Sequence, residues 1–475
     1  MVSVPAKVFL RADGGLQSGM GHMMRMRALS YILRGSFSCI FVSKNTLEEL
    51  GILLPVDVSS LIIESEEDWL MLPTAGDIVV FDGYHFDSSI FQRIRSLGAL
   101  SVFLDDFLDV PQDADLLINH APNSKFPSFK WLHTRILKGL NYAILQPEFL
   151  SPCHKMKKKD SLVICFGGSD YHGYSHSLLP WIDKWKTWSS ITVIVGNQYR
   201  FLQELEETVA GCIQREKIII QQGLDSYQMH EQFCAADFAL VPASNVALEA
   251  IASGCRLICG YYVDNQREIY ESFKVQQLII PCGDFSFAEL RDAILKASNT
   301  SSKAPVIDGL SPERIRKAFR QLAAIHQFAF LDMTKEDAEW TFNWANDPDA
   351  RKFSFSTKSI TWAEHLSWFK AKLEDEKVHF WKAEVENEKI GIVRFEPTTE
   401  GLRISYQVTP HKKGGGVGVS LLSGALYHLQ TQFPENLRVY GDVMKENAAS
   451  IHIFETLGFE AVDMGQFFRF HKEVV

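Results

Sequence analysis

The sequence predicts an α/β chain, two Rossmann-like lobes followed by a smaller α+β domain. Three observations predict it. Apolar runs such as Val8–Leu10 and Leu162–Phe166 each lead into a paired-glycine turn, F-L-R-A-D-G-G in one half and I-C-F-G-G-S-D in the other. As far as His326, runs of this kind alternate with helical segments, which is the pattern of a parallel sheet covered on both faces. Beyond Phe328 the predicted strands follow one another directly, as in an α+β domain. A chain of 475 residues is too long for one core. The predicted units are 1–152, 153–326 and 327–475.

The first unit is organised around Lys7–Arg27. Its opening strand meets a turn containing Gly14, Gly15, Gly19 and Gly21, and a helix follows with Met23, Met26, Leu29 and Leu33 at helical spacing. Strand, glycine-rich turn and helix make a phosphate-cradling arrangement, because glycines admit an anion to the backbone and the helix start offers unpaired N–H groups. His22 stands at that helix start, with Asp13 before the glycines and Arg25 one turn later. It is the candidate catalytic or substrate-touching group; a capping or packed histidine is the alternative. Further strands are predicted at Ser38–Val42, Ser60–Glu64, Asp77–Phe81, Leu100–Leu104 and Leu116–Asn119. Asp82, Tyr84 and Asp87 would lie on the polar rim of this sheet, although Asp82 also suits a helix N-cap.

Lys155–Asp160, K-M-K-K-K-D, reads as a solvated connector. The strand-and-glycine pattern then restarts with Leu162–Phe166 and the turn Gly167, Gly168, Ser169, and continues at Ile191–Val195 and Lys217–Gln221. In Phe238–Cys259 a strand ends at Pro242, and Ser244 and Asn245 cap a helix whose first N–H groups are free for a diphosphate. Glu249, one turn on, can accept hydrogen bonds from ribose hydroxyls, and Gln266 lies in the next polar turn. A plain capped helix with an ordinary glutamate is the alternative. Ser311–His326 is a capped helix predicted to end the two-lobed unit.

The net charge of −10 argues against nucleic acid and anionic membrane as partners. Eight cysteines are scattered without a C-x-x-C pair, which predicts reduced thiols in the cytoplasm and neither a disulfide framework nor a zinc site. No apolar run approaches a membrane span, there is no leader-like start, and no D-x-D or His/Asp cluster calls for a metal.

In the last unit Trp340, Trp344, Trp362, Trp368 and Trp381 crowd a short span. Strands are predicted at Phe380–Glu386, Lys389–Phe395 and Leu402–Val408. The turn P-H-K-K-G-G-G-V-G then enters an amphipathic helix, and a further strand, Leu437–Val443, is followed by N-A-A-S-I-H-I-F-E-T-L-G-F. Backbone amides between Lys413 and Gly418 at a helix start would make a second pyrophosphate seat.

Taken together, R-A-D-G-G…G-M-G-H-M-M-R, F-D-G-Y-H-F-D, L-K-G-L-N-Y-A-I-L-Q-P-E-F, F-G-G-S-D and S-N-V-A-L-E-A resemble the UDP-sugar hydrolase family of pseudaminic acid biosynthesis, from about Val4 to His326. That family is similar in architecture to two-lobed GT-B glycosyltransferases. The resemblance implies hydrolysis of UDP-2,4-diacetamido-2,4,6-trideoxy-β-L-altropyranose by water attack at the anomeric carbon, with His22 as base and without a metal. Asp13 and Tyr84 fall on its sugar-side motif residues, with Gly14, Gly21 and Arg25 beside them. Ser244, Asn245, Glu249 and Gln266 fall on its UDP side, and the amides of the Gly167, Gly168, Ser169 turn are placed to share the charge of the leaving UDP. Cys165 stands where a serine is expected.

From about Phe328, W-A-N-D-P-D-A-R, H-L-S-W-F and V-T-P-H-K-K-G-G-G-V-G resemble GNAT-type N-acetyltransferases, particularly those that acetylate amino-sugar nucleotides. This implies acetyl-CoA as cosubstrate, held by Val408, Lys413, Gly414, Gly416, Val417, Gly418 and Asn447. The implied acceptor is the 4-amino group of a UDP-amino sugar. Phe454 stands where many members have a proton-donating tyrosine, leaving Tyr406 or a water as substitutes. A GT-B glycosyltransferase with an accessory acetyltransferase, and a hydrolase whose tail only binds, are the competing readings.

Overall fold

The computed structural model describes residues 6–14, 20–46, 54–106, 113–121, 131–299, 307–412, 414–433 and 437–473. Its first sheet contains β1 (Lys7–Ala12), β2 (Ser38–Ser43), β3 (Ser59–Ile62), β4 (Ile78–Asp82), β5 (Leu100–Leu104), β6 (Leu116–Asn119) and β7 (Arg135–Lys138). These seven strands lie in the order β3-β2-β1-β4-β5-β6-β7, all parallel, with helices α1 (Gly21–Leu33) and α2 (Ser88–Ser96) among the connections. Every residue of β4 and β5 is buried, which explains why they read as unbroken apolar runs instead of alternating ones. The chain winds outward from β1 to β3 and then returns to the other side of β1 as β4. The point where strand order reverses, the usual ligand crevice of an open α/β sheet, therefore lies between β1 and β4.

The second sheet repeats this plan. It is built from β8 (Lys158–Cys165), β9 (Ser190–Val195), β10 (Ile218–Gln222), β11 (Ala236–Pro242), β12 (Arg256–Gly260) and β13 (Ile279–Pro281). Their order, β10-β9-β8-β11-β12-β13, is again parallel and reverses between β8 and β11. The connecting helices are α3 (Tyr174–Trp185), α4 (Leu202–Gly211), α5 (Ser226–Ala235), α6 (Asn245–Ala252), α7 (Asp264–Val275) and α8 (Phe287–Asn299).

Helix α9 (Ser311–Ala323) does more than close this unit. It crosses back to the first sheet and packs Ile315, Phe319 and Leu322 into one core with Met26, Leu29 and Leu33 of α1. Arg316 Nε donates to the Ile32 carbonyl at 3.0 Å.

The third sheet is mixed. Its strands are β14 (Ala329–Asp332), β15 (His379–Val385), β16 (Glu388–Thr398), β17 (Gly401–Val408), β18 (Arg438–Met444), β19 (Glu460–Asp463) and β20 (Phe467–Glu473), in the order β14-β15-β16-β17-β18-β20-β19. Helices α10 (Ala338–Ala345), α11 (Pro348–Lys352), α12 (Trp362–Glu374), α13 (Val417–Gln432) and α14 (Ala448–Thr456) complete it. β17 and β18 are parallel and pair only at Leu402–Val439 and Arg403–Tyr440, so the sheet forks beyond that point. This unit docks on the first sheet. Gln430 Oε1 accepts from the Leu132 amide at 2.7 Å, and the buried Lys472 ammonium donates to the carbonyls of Thr134 and Leu457, both at 2.8 Å.

Two sequence expectations are refined. The connector is exposed over 155–159 as predicted, but its second half is already strand, since β8 begins at Lys158, and the Lys157 ammonium caps the carbonyls of Phe233, Ala236 and Ser253. The cysteines are not all free thiols either: Cys153, just before that connector, forms a disulfide with Cys234 of α5 across 81 residues of sequence. Spacing alone could not reveal a pair so far apart. Among the described residues no helix is long and apolar enough to cross a membrane.

Candidate functional site

Two places gather the chemistry. The first is the reversal point of the first sheet. Helix α1 begins there without a side-chain cap and without an acidic residue in its first turn, so its leading N–H groups face the crevice. His22 sits at this end with 12 % of its side chain exposed, and its Nδ1 is 2.6 Å from Asp82 Oδ1 at the end of β4. With Nδ1 engaged by the carboxylate, Nε2 is the nitrogen left for a proton transfer.

Asp82 is held in turn. Arg25 Nε donates to its Oδ2 at 2.8 Å, and Arg25 Nη1 donates to Asp106 Oδ1 at 2.8 Å. His120 Nε2 lies 3.2 Å from Arg25 Nη1, and burial pushes its pKa down to about 4, so it contributes no positive charge. The Tyr84 hydroxyl donates to Asp106 at 3.0 Å and accepts from Asn265 Nδ2 of α7 at 2.6 Å, while its ring meets His22 edge-on. Tyr84 therefore bridges the two sheets' units and closes over the histidine.

The electrostatics differ from expectation in one respect. A helix start alone would keep His22 neutral by lowering its pKa. Burial works the same way, yet the Asp82 carboxylate outweighs both and the pKa is raised.

Several predicted residues sit elsewhere in this arrangement. Arg25 is 5 % exposed and committed to two carboxylates, so it is a frame for His22 and not a free substrate contact. Asp82 is not a helix N-cap; Asp87 caps α2 by accepting from the Ser89 amide. Asp13 is paired with Arg11 at 2.6 and 2.7 Å and accepts from the Lys44 amide, well within an ionic cluster of its own. Glu66 and His85 join that cluster with metal-ligand spacing, but its two carboxylates are already matched by two cations, the Arg11 guanidinium between them and the Lys44 ammonium 3.5 Å from Glu66. A second group of metal-ligand type, Cys153, His230 and Cys234, surrounds the disulfide. Gly14 donates to Asn45 Oδ1 at 3.0 Å, Gly21 opens α1 with clear space around it, and Gly15 and Gly19 lie outside the described residues.

Facing this crevice is the reversal point of the second sheet. Gly167 has φ +87°, and Gly168 approaches Met20, the residue before α1. The Gly168 carbonyl occupies the position a Cβ would take at Gly196, so that position admits only glycine. Ser169 is half-buried in the same turn, whose next residue, Asp170, caps α3 through the amides of Tyr174 and Ser175. Ser244 is the N-cap of α6, with Asn245 first in the helix, but its side chain makes no capping bond. Glu249 is half-buried, and burial pushes its carboxyl up to about 8. Gln266 Oε1 is spent on the Tyr262 amide at 3.0 Å.

The second place is the fork between β17 and β18. A cavity of about 940 Å³ opens there, lined among others by Trp368, Arg394, Tyr406, Asp442, Ser450 and Phe454. Gly414, Gly415 and Gly416 at its mouth have φ of +98°, +61° and +88°, and α13 starts at Val417 with Gly416 as its N-cap. A Cβ on Gly418 would collide with Ile453 Cδ1 and come within 3.7 Å of Val408 Cγ2. Asn447 caps α14 by accepting from the Ser450 amide at 3.1 Å. Lys413 lies outside the described residues. Inside the fork the Tyr406 hydroxyl donates to Ser450 Oγ at 3.0 Å. Phe454 is 2 % exposed and stacked on Phe470, with its para carbon aimed at Gly441, where a side chain would collide with it.

Residues 328–460, which contain this fork, match the family model described as an acetyltransferase (GNAT) domain. The C-terminal part of the chain is a GNAT acetyltransferase domain. An uncharacterized protein of Methanocaldococcus jannaschii is 22 % identical, the alignment covering 97 % of this chain and 98 % of that protein. Among solved structures, a domain from Methanocaldococcus jannaschii is 22 % identical with a TM-score of 0.28, covering 31 % of this chain and 98 % of its own. Spermidine N-acetyltransferase from Vibrio cholerae, in complex with CoA and spermine, is 17 % identical with a TM-score of 0.29, covering 31 % of this chain and 96 % of its own. The GNAT domain is preceded by the two parallel sheets, which lie outside the matched residues.

Proposed function

We propose a bifunctional enzyme with a GT-B-like pair of lobes, 1–152 and 153–326, and an acetyltransferase domain, 327–475. The lobes hydrolyse a UDP-amino sugar, and the last domain acetylates the amine of its precursor. The substrate favoured is the pseudaminic acid intermediate UDP-2,4-diacetamido-2,4,6-trideoxy-β-L-altropyranose. The observation that carries the hydrolase reading is the His22–Asp82 pair at the mouth of a crevice bridged by Tyr84 and Asn265. His22 Nε2 takes a proton from water as oxygen bonds to the sugar's anomeric carbon, and the bond to UDP breaks with its electrons. Diphosphate charge is spread over the open N–H groups of α6 and the Gly167–Ser169 turn.

The acetyltransferase reading rests on the fork and the glycine turn at its mouth. Acetyl-CoA would supply the activated acetyl group there. As the amine attacks, the C–S bond breaks and the leaving sulfur needs a proton. Phe454 has none to give, and Tyr406, hydrogen-bonded to Ser450, presents a phenolic hydroxyl in the lining of the fork. A GT-B glycosyltransferase remains distinct from this reading because it needs an acceptor. Incubating the purified chain with the UDP-4-amino sugar and acetyl-CoA, followed by mass spectrometry, should yield an acetylated species, then free sugar and UDP. Sugar recovered bound to an added acceptor, with no free sugar formed in its absence, would overturn the hydrolase, and an unacetylated product would overturn the transferase.

A further inference from the structure

The glycine turn of the GNAT domain does not stand on that domain alone. Gly416 carries no side chain, and the place its Cβ would take is filled by the amide nitrogen of Gln321, from the last turn of α9. Gln321 is 8 % exposed. Its Oε1 accepts from Arg135 Nη2 of β7 at 2.8 Å, which fixes the amide so that Nε2 points at the turn. No hydrogen-bond partner for Nε2 occurs among the described residues. The Ser420 hydroxyl, in the first turn of α13, donates to the Gln321 carbonyl at 3.3 Å and pins α9 against the helix start.

Behind Gln321 lies an unbalanced charge. Arg135 is 2 % exposed, and its remaining contact is the Ala318 carbonyl at 3.4 Å, with Nε unpaired. No carboxylate pairs with it among the described residues. Burial lowers its pKa only to about 10, so it stays a cation at neutral pH. A buried cation without a counter-ion is costly and is kept where it favours an anion nearby.

From these contacts we infer that Gln321 and Arg135, both outside residues 328–460, complete the phosphate seat of the coenzyme turn. Gln321 Nε2 donates to a phosphate oxygen beside Gly416, and Arg135 orients that amide and supplies the balancing charge. Coenzyme binding by the GNAT domain therefore depends on α9 and on the edge strand of the first sheet, which gives the fused architecture a physical reason. The inference rests on the acetyl-CoA reading above.

The discriminating substitution is Gln321→Glu in the full chain. A glutamate would pair with Arg135, so the melting temperature should rise, while CoA affinity by calorimetry should fall about tenfold or more as its carboxylate faces the phosphates. A merely structural glutamine would move stability and affinity in the same direction, and that result overturns the inference, as does unchanged affinity. If Gln321→Glu fails to fold, Gln321→Met should still weaken CoA several-fold, and wild-type affinity there overturns it equally. Absence of CoA binding by the wild-type chain would instead remove the coenzyme reading itself.

Discussion

In the function proposed above, the crevice around His22 and the fork around Tyr406 aim a proton in opposite ways. In the crevice the aim comes from charge: Asp82, Arg25 and Asp106 form a buried ionic chain, and the His22 imidazole joined to it through Nδ1 keeps Nε2 for the crevice. In the fork the aim comes from neutral hydroxyls and from backbone freed by a sheet that splits. A charged frame fixes protonation as well as position, so its output follows pH. A hydroxyl frame fixes position alone. The crevice is also shared between two sheets' units, whereas the strands of the fork belong to one.

The strongest way to break this contrast is at the groups that move protons. His22→Asn should lower hydrolysis by roughly 10²–10⁴-fold, the usual worth of a positioned general base, while UDP binding by calorimetry persists. Unchanged turnover would take the imidazole out of the reaction. In the other site, Gly416→Glu places a side chain where the Gln321 amide already sits and forces a left-handed backbone on a non-glycine residue. Acetyl transfer should fall below detection while hydrolysis stays near wild type, as measured in parallel on one preparation; loss of both in a folded variant would mean that the sites are not separate.

Tyr406→Phe is expected to cost less, about ten- to a hundredfold in kcat for acetyl transfer with little change in KM, because a hydrogen-bonding water can replace part of a lost donor. Phe454→Tyr should not raise activity, since the new hydroxyl would be driven at Gly441. Activity gained there would show that the ring can turn into the fork.

These two sites were unequally legible in the sequence. Paired glycines after apolar strands marked both reversal points, because the need for backbone approach leaves a local signature in residue type. His22 was legible for the same reason. Its partner Asp82 was visible only as a rim carboxylate, since a sequence separation of 60 says nothing about distance. Arg25, one turn after His22, looked like a substrate contact; that the carboxylates bracketing it come from the end of β4 and from the segment after β5 is a property of topology. Tyr406 was named only as an alternative, and Gln321 not at all. A helix predicted to end one unit has no sequence mark showing that it supports the next.

The pH response sharpens the comparison further. The His22 pKa is raised, so at pH values below it the ring is protonated and cannot accept a proton from water. Hydrolysis should therefore rise with pH through an inflection above the ordinary histidine value of ~6.5. Asp82→Asn removes the carboxylate that raises it, so the inflection should move to lower pH even as the maximal rate falls. Acetyl transfer measured on the same variant should keep its wild-type profile. An unmoved inflection for hydrolysis would assign the titration to another group.

The smallest effect tests whether the crevice depends on being shared. Asn265 touches none of the ionic chain directly; it donates to the Tyr84 hydroxyl across the two units. Replacing it by alanine leaves Tyr84 its bond to Asp106, so His22 keeps its frame, but the crevice loses a bridge. A net hydrogen bond is worth about 1 kcal/mol, which corresponds to several-fold. That loss should appear in KM for the UDP-sugar, because the bridge joins the two units that line the crevice, with kcat nearly unchanged. If kcat fell instead, the bridge would be setting the position of Tyr84 against the imidazole, and the crevice would depend on neutral hydrogen bonds for its aim as the fork does.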